Sequence, residues 1–208
     1  MRPVGQKGWL VFDSKPFFQK PLRPATRALA RVGVTANQVT LTTIVLSIPA
    51  GTLLWSWPDA RWPLLLIPFV LLVRLACNHI DGMLAREHEM QSHVGAILNE
   101  LADVVSDAAL YLPFAAVPGV SPWLVVLVVV LAVISEMTGV VATQIGADRR
   151  GDGPMAKKPR GVVFGAIALA LGLGATPGVW VDSVLSATLV LQFLTIGNRI
   201  GKALKQVA

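Results

Sequence analysis

Residues 78–107 read NHIDGMLAREHEMQSHVGAILNELADVVSD, a run of acids and amides at helical spacing set between two long apolar stretches. Carboxylates at membrane depth are costly, and they are held there by a bound cation, a buried ion pair or a proton pathway. The order of residues favours the cation. Residues at i, i+3, i+4 and i+7 share a helix face. On the first helix that face carries Arg74, Asn78, Asp81, Gly82 and Ala85; on the second, Ser92, Gly95, Asn99, Asp103 and Asp107 follow one stripe with Glu100 at its edge. Joined by a short loop, the two helices run antiparallel, which predicts that Asn78 and Asp81 face Asn99 and Asp103 across an oxygen-rich pocket. Asp and Asn oxygens suit hard cations such as Mg2+. No Cys/His set with zinc spacing is present. Gly82, Ala85 and Gly95 are small where two helices, or a helix and a ligand, must approach closely.

Composition places this segment in a membrane. Of the 208 residues 54% are hydrophobic, and the mean hydropathy is +0.63, both far from a soluble globular domain. A hydrocarbon core of about 30 Å requires about 20 largely apolar residues per helix. Six stretches meet that need, near residues 36–56, 62–85, 93–116, 122–145, 161–178 and 181–201. The fold class expected is therefore all-α, a six-span polytopic membrane protein forming a single domain over residues 1–208, with no internal repeat. The N-terminus lacks the pattern of a cleaved signal peptide, so the first span is expected to act as the targeting signal. The single cysteine, Cys77, excludes an intrachain disulfide.

Lys and Arg concentrate in cytoplasmic loops. Arg2, Lys7, Lys15, Lys20, Arg23, Arg27 and Arg31 precede the first span; Arg149, Arg150, Lys157, Lys158 and Arg160 lie between the fourth and fifth; Arg199, Lys202 and Lys205 end the chain. With six spans all three groups fall on one side, which predicts both termini in the cytoplasm. The opposite side holds Arg61 and the interfacial tryptophans Trp55, Trp57, Trp62, Trp123 and Trp180. The net charge of +6 suits anionic lipid headgroups rather than nucleic acid, since no basic module with base-stacking aromatics is present. Residues 1–35 mix Trp9, Phe12, Phe17, Phe18 and Leu22 with bases and read as an amphipathic segment lying in the interface; Pro16, Pro21 and Pro24 argue against one continuous helix. Asn37 is placed to cap the first span.

The central string resembles the signature of the CDP-alcohol phosphotransferases, membrane enzymes of phospholipid synthesis: DxxDGxxAR, eight residues, then GxxxDxxxD. Here it is NxxDGxxAR over residues 78–86, eight residues, then GxxxNxxxD over residues 95–103. The ANQVTL opening of the first span and the basic loop before the fifth extend the resemblance over most of the chain. The resemblance implies a CDP-linked donor, CDP-diacylglycerol foremost, an alcohol acceptor of unspecified identity, CMP release, Mg2+ or Mn2+, a homodimer and a bacterial inner-membrane location. It implies a metal site formed by Asn78, Asp81, Asn99 and Asp103, with Asp103 as general base. Asn at two of the four signature positions removes two charges, for which Glu100 and Asp107 are candidate compensating acids. Gly82, Ala85, Arg86 and Gly95 fall at donor-binding positions, Arg86 being also a plausible interface anchor. Lys157, Lys158 and Arg160 stand where an acceptor phosphate would bind, or follow simply from positive-inside bias. A non-catalytic relative that binds a nucleotide-lipid or stabilises a membrane partner is the alternative function; a transporter would carry its polar residues right across the membrane.

Several polar residues stand outside the signature. Arg74 and Asp107 are expected at matching depth as a structural ion pair, with metal ligation by Asp107 the rival. Glu136 and Gln144 mark a polar face on the fourth span, read as interhelical hydrogen bonding rather than substrate contact. His79, His88 and His93 lack ligand spacing; the last two, with Glu87 and Glu89, read as a solvated loop.

Overall fold

The computed structural model describes residues 15–208, with side chains from Lys20 onward. The expectations for Arg2, Lys7, Trp9 and Phe12, and for the side chains of Lys15, Phe17 and Phe18, lie outside these residues. Seven α-helices follow in order among the described residues: α1 (Lys15–Arg31), α2 (Ala36–Ser56), α3 (Arg61–Glu87), α4 (His93–Tyr111), α5 (Pro122–Val141), α6 (Lys157–Gly172) and α7 (Val179–Val207). Short 3-10 turns extend α4 over Leu112–Ala116 and α5 over Ala142–Ile145.

Each of the six apolar stretches forms one helix, α2 to α7. Among the described residues four helical segments are long and apolar enough to cross a membrane: Ala36–Ser56, Arg61–Glu87, Pro122–Ile145 and Val179–Val207. The other two differ for a physical reason. α4 carries Glu100, Asp103 and Asp107 within 19 residues, and α6 has only 16 residues, opening with Lys157, Lys158 and Arg160. Both helices spend apolar positions on polar side chains.

Two local expectations are corrected. α1 runs unbroken through Pro21 and Pro24. The missing N–H groups are offset by packing along α3, with Thr26 Oγ1 donating to Leu22 O at 3.0 Å. The helix ends at Gly33, whose φ of +81° favours glycine; Val34 N then donates to Leu29 O at 3.0 Å and Gly33 N to Ala30 O at 3.1 Å. Second, the cap of α2 is Thr35 rather than Asn37: Thr35 Oγ1 accepts from Gln38 N at 3.3 Å while Gln38 Oε1 accepts from Thr35 N at 2.9 Å, a reciprocal capping box.

The core lies between α2, α3, α4, α5, α6 and α7 around Leu54, Ile67, Leu110, Val125, Val128, Phe164 and Leu185. Phe164 stacks on Tyr111 with centroids 4.1 Å apart and meets Phe114 edge-on at 5.3 Å. α2 is the common neighbour of α3 and α4. It comes so close to α4 that a Cβ on Gly51 would collide with Ala109 O. Polarity is arranged for lipid rather than water. Leu72, Phe69, Val45, Ile97, Met137 and Phe193 are exposed, while Arg74, Asp81, Asp107, Glu136, Arg160, Gln192 and Arg199 are buried. Charged groups turned inward with partners are what an apolar solvent demands. Trp55, Trp57, Trp62, Trp123 and Trp180 are all exposed and cluster near helix ends, as aromatic residues do at a membrane boundary.

Candidate active site

The helical stripes predicted on α3 and α4 do converge, but not as a close-packed pair. α3 and α4 make little direct backbone contact, with α2 packed against both. A cavity of about 1340 Å3 opens between α2, α3, α4 and α6. Asn78, Asp81, Gly82, Ala85 and Arg86 line it from α3; Gly95, Asn99, Asp103 and Asp107 line it from α4; Lys157 and Lys158 line it from α6. Glu100 and Arg160 do not line it. Arg160 borders a separate void of about 10 Å3 with Asp107 and Glu136.

The upper wall of the cavity is built from short contacts between helices. Asp81 is buried, and its Oδ2 accepts from Thr40 Oγ1 of α2 at 2.9 Å. Asn78 Nδ2 donates to Asp103 Oδ1 at 3.4 Å, and Lys157 Nζ pairs with the same oxygen. Ser92 caps α4, its Oγ accepting from Gly95 N at 2.9 Å. Gly95 is small because α2 is close: a Cβ there would stand 2.6 Å from Asn37 Oδ1. Asn37, displaced from its expected capping role, thus forms part of the wall. A Cβ on Gly82 would stand 2.9 Å from Arg86 Nη2, so the Arg86 guanidinium lies over the bare backbone that the glycine leaves. His79 is buried on the cavity wall, with Nδ1 2.7 Å from Leu75 O.

One turn deeper lies a set of buried ion pairs. Arg74 Nη2 donates to Asp107 Oδ1 at 2.9 Å, as the matching depths predicted. Asp107 also accepts at Oδ2 from Arg160 Nη2 at 2.8 Å and Nε at 3.3 Å. Arg160 Nη2 continues to Glu136 Oε1 at 3.4 Å, and Arg199 Nη1 stands 3.6 Å from Glu136 Oε2. Arg199 further donates from Nε to Asp152 O at 2.9 Å and from Nη1 to Ser135 O. Sequence reasoning placed Glu136 in a polar interhelical contact but missed that its partners are arginines. Arg160 reads from sequence as an acceptor-phosphate residue or a positive-inside charge and Arg199 as a positive-inside charge, yet each is buried rather than at a surface.

The basic loop before α6 ties this set to the site. Arg149 Nε stands 2.5 Å from Glu100 Oε1, and its Nη2 lies 3.8 Å from Glu136 Oε2. Burial works to lower the Arg149 pKa, but the hydrogen bond and charge of Glu100, then Glu136 and Asp103, outweigh it and hold the guanidinium above its usual value. Glu100 is therefore engaged by the loop. Asp107, although it borders the cavity, has both carboxylate oxygens engaged by two arginines, the ion-pair reading rather than metal ligation.

A profile of the CDP-alcohol phosphatidyltransferase family matches residues 33–196. Inner membrane protein YnbA of Escherichia coli is 40% identical over 191 residues, 91% of this chain and 94% of that protein. Phosphatidylinositol phosphate synthase of Mycolicibacterium smegmatis is 27% identical, with 84% of this chain and 82% of that protein covered. In fold the chain is similar to the Mycobacterium tuberculosis phosphatidylinositol phosphate synthase crystallised with CDP-DAG, at a TM-score of 0.70 and 21% identity, covering 86% of this chain and 92% of that one. The same synthase with manganese and citrate gives a TM-score of 0.67, with 86% of this chain and 87% of that one covered. The chain is an integral membrane protein that belongs to the CDP-alcohol phosphatidyltransferase family.

Proposed function

We propose that the protein transfers a phosphatidyl or substituted phosphate group from a CDP-linked lipid, CDP-diacylglycerol foremost, to an alcohol in phospholipid synthesis. The observation that carries this is the meeting of Asn78, Asp81, Asn99 and Asp103 with Gly82, Arg86 and Gly95 on one large cavity. The donor set fits a hard divalent cation: two carboxylates and two amide oxygens, with substrate phosphates to complete the shell, is the manner in which Mg2+ is usually bound. Asn78, Asp81, Asn99 and Asp103 would hold it, Mg2+ or Mn2+, with fewer charges than four aspartates supply. A cation held there would supply charge to neutralise the diphosphate and stabilise the departing CMP oxygen.

The chain's own residues do the rest. Arg86, above Gly82, meets a phosphate of the donor where the absence of a side chain permits approach to backbone; Ala85 and Gly95 keep the same wall low. The acceptor hydroxyl oxygen bonds to the lipid-side phosphorus, the bond to the CMP oxygen breaks, and the hydroxyl proton passes to Asp103. Asn78 and Lys157 both engage Asp103 Oδ1, so Oδ2 is the oxygen assigned the proton. Lys157 and Lys158 place positive charge on the wall facing Asp103. Thr40 orients Asp81 through their 2.9 Å bond. Arg160 has no contact role in this scheme, because Asp107 and Glu136 hold its guanidinium.

We further propose a single membrane domain with α2 to α7 as six spans, α1 lying in the interface, both termini cytoplasmic and the tryptophans on the far side, in a bacterial inner membrane. Homodimers and contact with anionic lipid belong to the same proposal.

The test is CMP release by purified protein in lipid, given CDP-diacylglycerol, Mg2+ or Mn2+ and a panel of alcohols, beside Asp103→Asn. The expected loss in the variant is about 10²- to 10⁴-fold, the contribution of a positioned base. No CMP with any acceptor, despite binding of the nucleotide-lipid, would favour a second reading, a non-catalytic relative. One observation supports that reading: Asn78 and Asn99 stand where the family signature carries aspartate, leaving two carboxylates in place of four.

A further inference from the structure

A phosphate-bearing acceptor would bring a second anion of nearly two charges into the cavity beside the donor diphosphate. Something cationic must hold it. On the cavity wall Lys157 is already paired with Asp103. Three arginines are buried beyond Asp103: Arg74 lines the cavity, while Arg160 and Arg199 stand outside its lining. Arg74 faces Asp107 at 2.9 Å, Arg160 faces Asp107 at 2.8 Å and Glu136 at 3.4 Å, and Arg199 faces Glu136 at 3.6 Å. Each already has a carboxylate.

Hydrogen-bond donors are nevertheless left over. Arg160 Nη1 and Arg199 Nη2 are buried with no hydrogen-bond partner among the described residues. Two guanidiniums that converge on one carboxylate, each with a nitrogen still unused, form the cationic half of an anion site. Glu136, from α5, stands between them with one carboxylate oxygen toward each. The void bordered by Arg160 and Glu136 has a volume of only about 10 Å3, room for no more than one water. A phosphate has no space there unless Glu136 leaves.

We propose that the Glu136 carboxylate fills the anion-binding place between Arg160 and Arg199, so that the acceptor this protein uses is an alcohol without a phosphate group. Glu136 is then a specificity-determining residue that touches neither substrate. It acts by occupying the arginines that would otherwise hold an acceptor phosphate. This rests on the transferase reading above, and deepens it by naming the acceptor class.

The experiment compares glycerol with glycerol 3-phosphate as acceptor, using CDP-diacylglycerol and the protein in lipid vesicles, for the wild type, Glu136→Gln and Glu136→Ala. Binding of inorganic phosphate to the same preparations is measured calorimetrically. The wild type should favour glycerol and bind phosphate no better than empty vesicles. Glu136→Ala, which removes the charge and opens space, should shift the ratio toward glycerol 3-phosphate by on the order of tenfold or more and gain phosphate binding. Glu136→Gln, which removes only the charge, should shift it less. Wild-type preference for glycerol 3-phosphate, or an unchanged ratio in a folded Glu136→Ala, would overturn the proposal. If neither acceptor yields CMP, the panel of alcohols above decides the transferase reading separately, and phosphate binding alone decides the role of Glu136: gain in either variant supports it, and equal binding by the wild type and both variants overturns it. Should Glu136→Ala not fold, the wild-type acceptor ratio and Glu136→Gln carry the same two outcomes.

Discussion

Replacing Asp107 with Ala should destabilise the bundle by about 3–5 kcal/mol, the cost of removing one partner from a buried ion pair. Asp107 holds Arg74 at 2.9 Å and Arg160 at 2.8 Å, with these two arginine side chains 3% and 1% exposed. Most of the loss falls on Arg74, because Arg160 keeps Glu136 at 3.4 Å. Arg74→Met should cost less, about 1–3 kcal/mol, since Asp107 then keeps the charge-assisted bonds of Arg160. The exchange Arg74→Asp with Asp107→Arg separates an isolated pair from a shared one. An isolated pair would be rescued by the exchange. A shared one would not, because the new arginine at 107 would meet Arg160. Two like charges about 4 Å apart cost about 4 kcal/mol at an effective dielectric of 20. Thermal melts in one detergent, followed by fluorescence-detected size exclusion, should rank the wild type above Arg74→Met, then Asp107→Ala, with the exchange no better than the last. An Asp107→Ala protein that melts with the wild type, or an exchange that restores wild-type melting, would refute the shared anchor.

Two further outcomes follow from close approach and from charge. Gly51→Ala should lower the melting temperature, since its Cβ would run into Ala109 O of α4 and overpacking costs about 1–3 kcal/mol; Gly201→Ala, with nothing within 4 Å, is the control, and equal melting of the two would count against the tight α2–α4 contact. Asp152, in the loop before α6, pairs with Lys202 of α7. Partial burial pushes its carboxyl up, but the hydrogen bond and charge of Lys202 outweigh this and hold it below the usual 3.8. A carboxyl with a depressed folded-state pKa stabilises fully above its unfolded value and loses that contribution as pH falls through the folded value. The melting difference between the wild type and Asp152→Asn should therefore be constant above about pH 5 and close below 3.8. A difference that persists unchanged into acid would rule out the ion pair as its source.

The helices were legible because their signals are local. Apolar runs of span length mark α2 to α7, and i+4 spacing placed Asn78, Asp81, Asn99 and Asp103 on the faces that now line the cavity. Depth counting along two antiparallel helices also gave the Arg74–Asp107 pair. The failures share a cause as well. Pro21 and Pro24 read as breaks because helix propensity is local, whereas α1 is held by its packing on α3. Asn37 read as a cap because Asn favours that place, but Thr35 with Gln38 satisfies two donors at once. Arg199 reads only as a charge of the positive-inside rule, and Arg160 as that or as a phosphate-binding residue. Their partner Glu136 lies 24 and 63 positions away in sequence, with no spacing to announce it.

The site has two layers that divide the electrostatic work. Asn78, Asp81, Asn99 and Asp103 form the upper layer, where only two residues are acids. Beneath it, Asp107 and Glu136 link arginines from α3, α6 and α7 to carboxylates from α4 and α5. Burying so many charges is a poor way to gain stability, since hydrophobic replacements of such sets are often neutral or stabilising. Their value lies in fixing position. The deeper pairs join five helices one turn below the carboxylates that would meet the diphosphate, and a preorganised site needs its supporting groups locked. Because those charges are largely matched internally, the field at the upper layer is left to Asp81, Asp103, Arg86, Lys157 and the incoming ligands. A mutation in the floor should consequently alter which acceptor is admitted and how firmly α4 is held, while a mutation in the upper layer should alter turnover itself.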